Sequence, residues 1–289
     1  MIKSSELILN PDGSVFHLHL KPEHLADNVI LVGDPGRVEL IGKSLNNIEF
    51  RIENREFVSL TGQYNGKRIT VLSTGIGTDN IDIVVNELDA LANIDLQTRE
   101  IKKTHRKLNI VRIGTSGGLQ YYLPVNSFVV SKKAIGFDGL LNFYANRNEI
   151  SDLAFEEAFK KHTLWAKQQT SPYVVECSKI LLDKIHQSDT FGGVTISAPG
   201  FYGPQGRVLR LPLADPDLNE KIESFSYEGQ KITNFEMECS AIYGLSKLLG
   251  HEAITICLII ANRVKKEASP DYHEPMQTLI KLVLDRLTR

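Results

Sequence analysis

The stretch "NVILVGDPGRVELIGKSL", Asn28–Leu45, runs an apolar segment into a glycine turn and then into residues at helical spacing. Val29 to Val32 suit a strand covered on both faces, and Gly33 with Pro35 interrupts it before a helix expected from about Arg37. The same plan recurs downstream. In "RITVLSTGIGTDNIDIVVNELDALANI" Ile69 to Leu72 read as strand and Asp79 or Asn80 as helix cap. Ile83, Val84, Glu87, Leu88 and Leu91 then fit a helix with one apolar face. "LNIVRIGTSGGLQ" and "NSFVVSKKAIG" are two more strands, and "HEAITICLIIANR" is apolar at nearly every position, as a doubly covered strand must be. Strands alternating with helices predict an α/β fold, a sheet with helices on both sides.

Bulk properties narrow the function. A length of 289 residues permits a large core, and we read residues 1–289 as one domain. A net charge of −2 gives no nucleic-acid footprint. The longest apolar run, Ala253 to Ala261, has about half the length a membrane helix needs. The opening "MIKSSELILNPDGS" lacks the apolar core of a secretory signal. Cys177, Cys239 and Cys257 have no metal-ligand spacing and cannot all pair within one chain. The expectation is a reduced, cytoplasmic protein with no membrane and no nucleic-acid partner. The polar stretch Asn93–Leu108 reads as an extended, solvated helix with its connection, and Ser151–Gln169 has helical character inside the poorly legible region Phe137–Ser171.

Three groups of residues carry chemistry. "VGDPGR" and "STGIGTDN" each follow a strand and precede a helix, where free backbone N–H groups can bind an anion. Neither satisfies the Walker lysine pattern or the dinucleotide fingerprint. Arg112 sits inside an otherwise apolar strand and needs an anionic partner, either a neighbouring acid or a ligand. With Arg37 beside the first glycine turn and Arg55 in "REF", three arginines suit a phosphate dianion, and Thr115 adds a hydroxyl. The loop "SAPGFYGPQGR", Ser197–Arg207, offers Phe201 and Tyr202 for stacking on a flat ring, with Gln205 and Arg207 for its edge; a self-packed surface loop is the alternative. In "NFEMECSAIYGLSKLLG", Asn234–Gly250, Glu236 and Glu238 flank Met237 at the entrance to a core helix that Gly250 stops. They either complement the helix dipole or accept hydrogen bonds from a vicinal diol, with the methionine against a sugar face. Anion, ring and diol together describe ribose, base and phosphate.

The ordered set "VGDPGR", "REF", "STGIGT", "RIGTSGG", "FYGPQGR", "NFEMECSA" and "IIANR" resembles the nucleoside phosphorylase superfamily, most of all its uridine phosphorylase branch, from about His17 to Arg263. The resemblance implies a three-layer α/β/α domain whose central mixed sheet curls towards a barrel. It implies phosphate binding by Gly33, Arg37, Arg55, Arg112 and Thr115. Phe201, Gln205 and Arg207 would take the base, and His17, Glu236, Met237 and Glu238 the ribose. Arg112, Arg207 and Gln205 would be the catalytic set. His17 and Arg55 would reach the site of a neighbouring subunit, so homodimers, assembled into homohexamers, are expected. The loop reads "FYGPQGR" where the family form is "FYPGQxR", and Cys239 stands where serine is usual. A monovalent cation binds at the dimer interface of some relatives; Glu56 and Ile76 match that site, Asn80 replaces its usual serine, and the ion is left open.

The implied reaction is reversible phosphorolysis of a pyrimidine nucleoside, uridine first, to free base and ribose 1-phosphate, with phosphate as co-substrate and no cofactor. Uridine, deoxyuridine and thymidine are not separated by sequence. Purine nucleoside phosphorolysis is disfavoured because "IIANR" supplies Asn262 and Arg263 where an acid would be wanted. A hydrolytic nucleosidase would not need the arginines, and a non-catalytic nucleoside sensor would keep the pocket without turnover.

Overall fold

The computed structural model describes residues 1–289. Its principal strands are β1 (Asn28–Val32), β2 (Asn46–Asn54), β3 (Phe57–Tyr64), β4 (Lys67–Ser73), β5 (Asn109–Gly118), β6 (Phe128–Gly136), β7 (Tyr173–Glu176), β8 (Phe191–Ser197), β9 (Gln230–Glu236) and β10 (Glu252–Asn262). The helices that cover them are α1 (Pro35–Gly42), α2 (Thr78–Asn93), α3 (Leu153–Thr163), α4 (Lys179–Ile185), α5 (Leu218–Ser224), α6 (Cys239–Leu249) and α7 (His273–Leu287). A further single turn of helix spans Arg147–Ile150.

The sheet is mixed and runs in the order β9-β8-β6-β10-β5-β1-β4-β3-β2. β1 lies parallel to both β4 and β5, whereas β3 pairs antiparallel with β2 and β4. At the other end the sheet closes on itself, because β9 also pairs antiparallel with β5 through Asn234–Gly118 and Phe235–Gly117. Five strands, β9, β8, β6, β10 and β5, thus form a barrel continuous with an open sheet. The expected three-layer α/β/α arrangement with a curled mixed sheet is what the chain adopts.

Layering follows from where apolar side chains fall. Along β10 every residue from Ala253 to Ile259 is buried, so helices must cover both faces. Ile254, Ile256 and Leu258 join α4 and α7 through Leu181, Ile185, Leu279 and Val283. Ala253 belongs instead with Val84, Leu88, Leu91, Ile242 and Leu245 of α2 and α6. No helix is long and apolar enough to cross a membrane.

Some local expectations need correction. The α2 cap is Gly77, not Asp79 or Asn80; its φ of +100° is open to glycine, and Asp79 falls in the first turn. The stretch Asn93–Leu108 is not an extended helix. The residues after α2 form a short antiparallel ladder, Ile94–Asp95 with Glu100–Ile101, around a turn in which Asp95 accepts from the N–H groups of Gln97 and Thr98. Polar at most positions, the segment has no apolar stripe to bury, so local aspartate bonding prevails over helix.

The region Phe137–Ser171 acquires a purpose in the fold. Phe155 and Phe159 of α3 are fully buried against Phe225 and Ile222, packing worth roughly 2 kcal/mol for each ring. Arg147 forks onto Glu156, which also accepts from Val174 N–H, and Tyr144 donates to Asp82 on α2. The segment therefore seals one side of the barrel and bolts it to α2.

Candidate active site

A cavity of about 740 Å³ opens where β1, β5, β8 and β9 reach their C-terminal ends. Gly33, Arg37, Arg112 and Thr115 line one end. Phe201, Gln205 and Arg207 line another, and Glu236, Met237 and Glu238 lie along the wall. Residues from distant segments meet because β1 runs parallel to β5 and β8 parallel to β9, and the antiparallel seam between β5 and β9 joins the C-terminal ends of the two sets.

At the anion end, Asp34 caps α1 by accepting from Gly36 N–H at 2.9 Å, with Pro35 as first helical residue. A Cβ on Gly33 would stand 3.4 Å from Gly75 O, in ordinary van der Waals contact, so the two glycine turns lie side by side. Arg37, largely withdrawn from solvent, donates from Nη1 to Ile113 O at 3.3 Å. Burial and then the Arg112 guanidinium push its pKa below the ordinary arginine value. Two guanidinium groups held this close repel each other, and an anion between them would relieve that cost.

Arg112 is 5 % exposed and enclosed by acids. Its Nη1 lies 3.2 Å from Glu236 Oε2, and its Nη2 donates to Glu238 Oε2. Those carboxylates outweigh the burial that opposes charge, so its pKa moves above the arginine norm. Its Nε has no partner. The two glutamates thus supply the acidic partner that a buried arginine requires.

The two glutamates are held differently. Glu236 Oε2 accepts from the N–H groups of Glu238 and Cys239, each at 2.9 Å, and Oε1 accepts from Ser197 Oγ at 2.5 Å. Glu236 therefore caps α6 from the end of β9. Burial, reinforced by the Glu238 charge, pushes its pKa up to about 7 against these donors and Arg112. Glu238 accepts only from Gly77 N–H, at 2.9 Å, and from Arg112. It is the carboxylate with capacity left for a ligand.

At the ring end, Arg207 stands over Phe201, its guanidinium carbon 3.7 Å from the ring centroid. Its Nη1 donates to Phe201 O at 2.6 Å and to Gln205 Oε1 at 2.7 Å. Gln205 is buried, whereas Phe201 is half exposed. Burial and nearby Arg263 bring the Arg207 pKa down to about 10. The loop is thus folded onto itself, with donors and ring converging on the cavity.

His17 and Arg55 do not enter this cavity. His17 Nδ1 lies 2.7 Å from Glu87 Oε1, and its carbonyl accepts from Asn54 Nδ2. Arg55, at φ +55° in the β2–β3 turn, points over Phe16 at 6.0 Å. Both therefore sit together on the outer surface. Of the cation trio, Asn80 Nδ2 donates to Glu56 Oε1 at 3.2 Å, and Ile76 is exposed at the cavity edge.

Several residues in or behind the cavity escaped the sequence reading. Ser116 lines it with a buried, unpartnered hydroxyl, and Tyr272 closes its rim just before α7. Arg263, noted in the sequence only as the end of "IIANR", has a buried, unpartnered Nη1 and lies near enough to Arg207 to perturb it. Ser197 holds Glu236 from beneath. Ser116 was signalled only by its place in "GTSGG"; nothing in the sequence distinguished Tyr272.

The chain is similar to known proteins along most of its length. The chain is 27% identical over 270 residues to a uridine phosphorylase of Thermococcus kodakarensis, covering 91% of this chain and 83% of that protein. It is 29% identical over 262 residues to a uridine phosphorylase of Haemophilus influenzae, covering 88% of each. Its fold superposes on a Trypanosoma brucei nucleoside phosphorylase that shows uridine phosphorylase activity, with a TM-score of 0.87 at 30% identity, over 97% of this chain and 99% of that one. The model of the phosphorylase superfamily matches residues 27–287, so strands, cavity and helices alike fall within it, and the chain belongs to that superfamily.

Proposed function

We propose that this protein is a pentosyltransferase that cleaves pyrimidine nucleosides with inorganic phosphate, uridine first, giving free base and ribose 1-phosphate in nucleoside salvage. The observation that carries the reading is the meeting, in one cavity, of an arginine-rich end, a carboxylate with spare acceptor capacity and a ring-and-amide end.

Phosphate lies between Arg37 and Arg112, with Thr115 and the Gly33 turn, and Arg55 comes from a second protomer. Holding it beneath C1′ removes translational freedom from the reaction, an effect worth up to roughly 7–11 kcal/mol at ideal geometry. As the N-glycosidic bond lengthens, positive charge gathers on the ribose beside the phosphate. Negative charge spreads onto the base, where Arg207 and Gln205 meet it, an oxyanion-hole arrangement. Phe201 stacks on the ring, Glu238 accepts from the ribose hydroxyls with Met237 against the sugar, and Glu236 keeps Arg112 and the start of α6 in place. His17 completes the neighbouring sugar site. The functional unit is a single-domain homodimer, assembling further into hexamers in the cytoplasm, with no cofactor.

Asn262 supports pyrimidines over purines. Its Nδ2 donates to Gln120 O and Leu123 O, and its Oδ1 accepts from the N–H groups of Val264 and Lys265. An amide so engaged has nothing left with which to assist a departing purine nitrogen. The test is a nucleoside panel with and without phosphate, with free base and ribose 1-phosphate both measured. Uracil release that requires phosphate is expected; equal release without it would make the protein a nucleosidase, and binding without release a sensor.

A further inference from the structure

Three parallel barrel strands each end in a polar residue that reaches the first turn of α6. β9 ends in Glu236, which accepts from the N–H groups of Glu238 and Cys239. β8 ends in Ser197, whose Oγ accepts from Ser240 N–H at 2.8 Å and donates to Glu236 Oε1. β6 runs out at Gly136, and two residues later comes Asp138. Its Oδ2 accepts from Ser240 Oγ at 3.1 Å, and its Oδ1 from Tyr173 O–H at 2.8 Å and Leu140 N–H at 2.8 Å. Tyr173 is fully buried, and its hydroxyl also lies 3.0 Å from Ser240 Oγ. Asp138 is outside the 740 Å³ cavity.

Resting on the phosphorolytic reading above, we propose that Asp138 is a positioning residue of the anion site: it pins Ser240, hence the Ser197–Glu236 pair, and so sets where Arg112 stands. The chain is continuous: Asp138 to Ser240, Ser240 N–H to Ser197, Ser197 to Glu236, Glu236 to Arg112. The two inner links, Ser240 N–H to Ser197 and Ser197 to Glu236, are short and buried, and the outer two, to half-buried Asp138 and to Arg112, span 3.1 and 3.2 Å; an unmet polar group inside such a network is costly. Without Asp138 the hydroxyls of Ser240 and Tyr173 lose their common acceptor. Ser240 can then turn to another acceptor, and the α6 N-terminus loses one of its three anchors. Glu236 would be free to shift against Arg112, and the first consequence falls on phosphate; only Ser197, at the head of the loop that carries Phe201, Gln205 and Arg207, is in this network, and Arg207 bonds to Phe201 and Gln205 within the loop itself.

Two substitutions test the idea by different routes. Asp138→Asn keeps the shape but presents an N–H where Ser240 and Tyr173 both donate. Ser240→Ala leaves the backbone N–H to Ser197 and removes the link to Asp138 together with the contact to the Tyr173 hydroxyl. In both, the KM for phosphate should rise about tenfold, the scale of one lost charge-assisted hydrogen bond, with the nucleoside KM within about twofold. Tyr173→Phe, which leaves the Asp138–Ser240 link intact, should raise it less. Calorimetric titration of each protein with phosphate alone should show the same order of affinities. Folded Asp138→Asn and Ser240→Ala proteins that bind phosphate as the wild type does would overturn the proposal. So would an equal rise in both KM values, which marks general loosening. Failure of the phosphorolytic reading looks different: the unsubstituted protein would itself bind no phosphate and release base without it, and the positioning role would fall with it.

Discussion

Arg207 stands over Phe201, its guanidinium carbon 3.7 Å from the ring centroid, while its Nη1 donates to the Gln205 side-chain oxygen. The ring proposed to stack on the base and the groups proposed for its edge are thus packed as one unit. Phe201→Ala should raise the nucleoside KM roughly ten- to a hundredfold, the range of one lost base–aromatic contact, with the phosphate KM unchanged. Steady-state kinetics with each substrate varied separately checks this. An unchanged nucleoside KM would remove Phe201 from the base site.

Arg112→Ala leaves Glu236 and Glu238 buried together without their counter-charge. Loss of one partner from such a cluster costs about 3–5 kcal/mol. The urea midpoint should fall accordingly, and any residual activity should lose its saturation with phosphate. A variant of normal stability with normal phosphate saturation would contradict both roles.

Burial raises the Glu236 pKa to about 7, well above the usual carboxylate range of the unfolded chain. A raised folded pKa means that the protonated side chain favours the native state. That contribution is fully present below the unfolded pKa, near 4–4.5, and is lost as pH rises through about 7. Glu236→Gln has no such loss. Its stability deficit relative to the parent, read from urea melts, should therefore shrink between pH 5 and pH 8 by up to about 3 kcal/mol. A deficit that stays constant across that window would show Glu236 ionised throughout.

His17 and Arg55 lie together away from the cavity, and in the proposed dimer they serve the site of the second protomer. Arg55→Ala and Arg112→Ala homodimers should each be nearly inactive with phosphate. When they are unfolded and refolded as a mixture, dimers carrying one of each should regain one intact site and part of the activity. No recovery, with hybrid dimers demonstrated by mass, would place Arg55 elsewhere.

Much of this was legible in sequence because it depended on local chemistry. Doubly covered strands such as β10 announce themselves by unbroken apolar runs, and glycine turns mark their ends. The arginine, ring and glutamate groups were found by residue type. What stayed hidden was pairwise. Nothing in "NFEMEC" separates the two glutamates, yet Glu236 saturates its oxygens on Ser197 and the α6 N–H groups while Glu238 does not. Nor could the polar run after α2 be seen to turn back as a ladder, since Asp95 competes with helix only once its neighbours bend. Asp138 was out of reach too, because its meaning depends on Tyr173 and Ser240, distant in sequence.

The barrel is zipped shut by two residue pairs between β5 and β9, whereas β5 and β10 are joined along ten. That narrow seam stands between Thr115 and Glu236, so fraying there separates the arginine side of the pocket from the sugar side while the rest of the sheet stays intact. On gentle warming, turnover should therefore fade before the main cooperative melt, and the amide proton of Leu119, which bonds Thr233 O across the seam, should exchange ahead of those in the middle of β10.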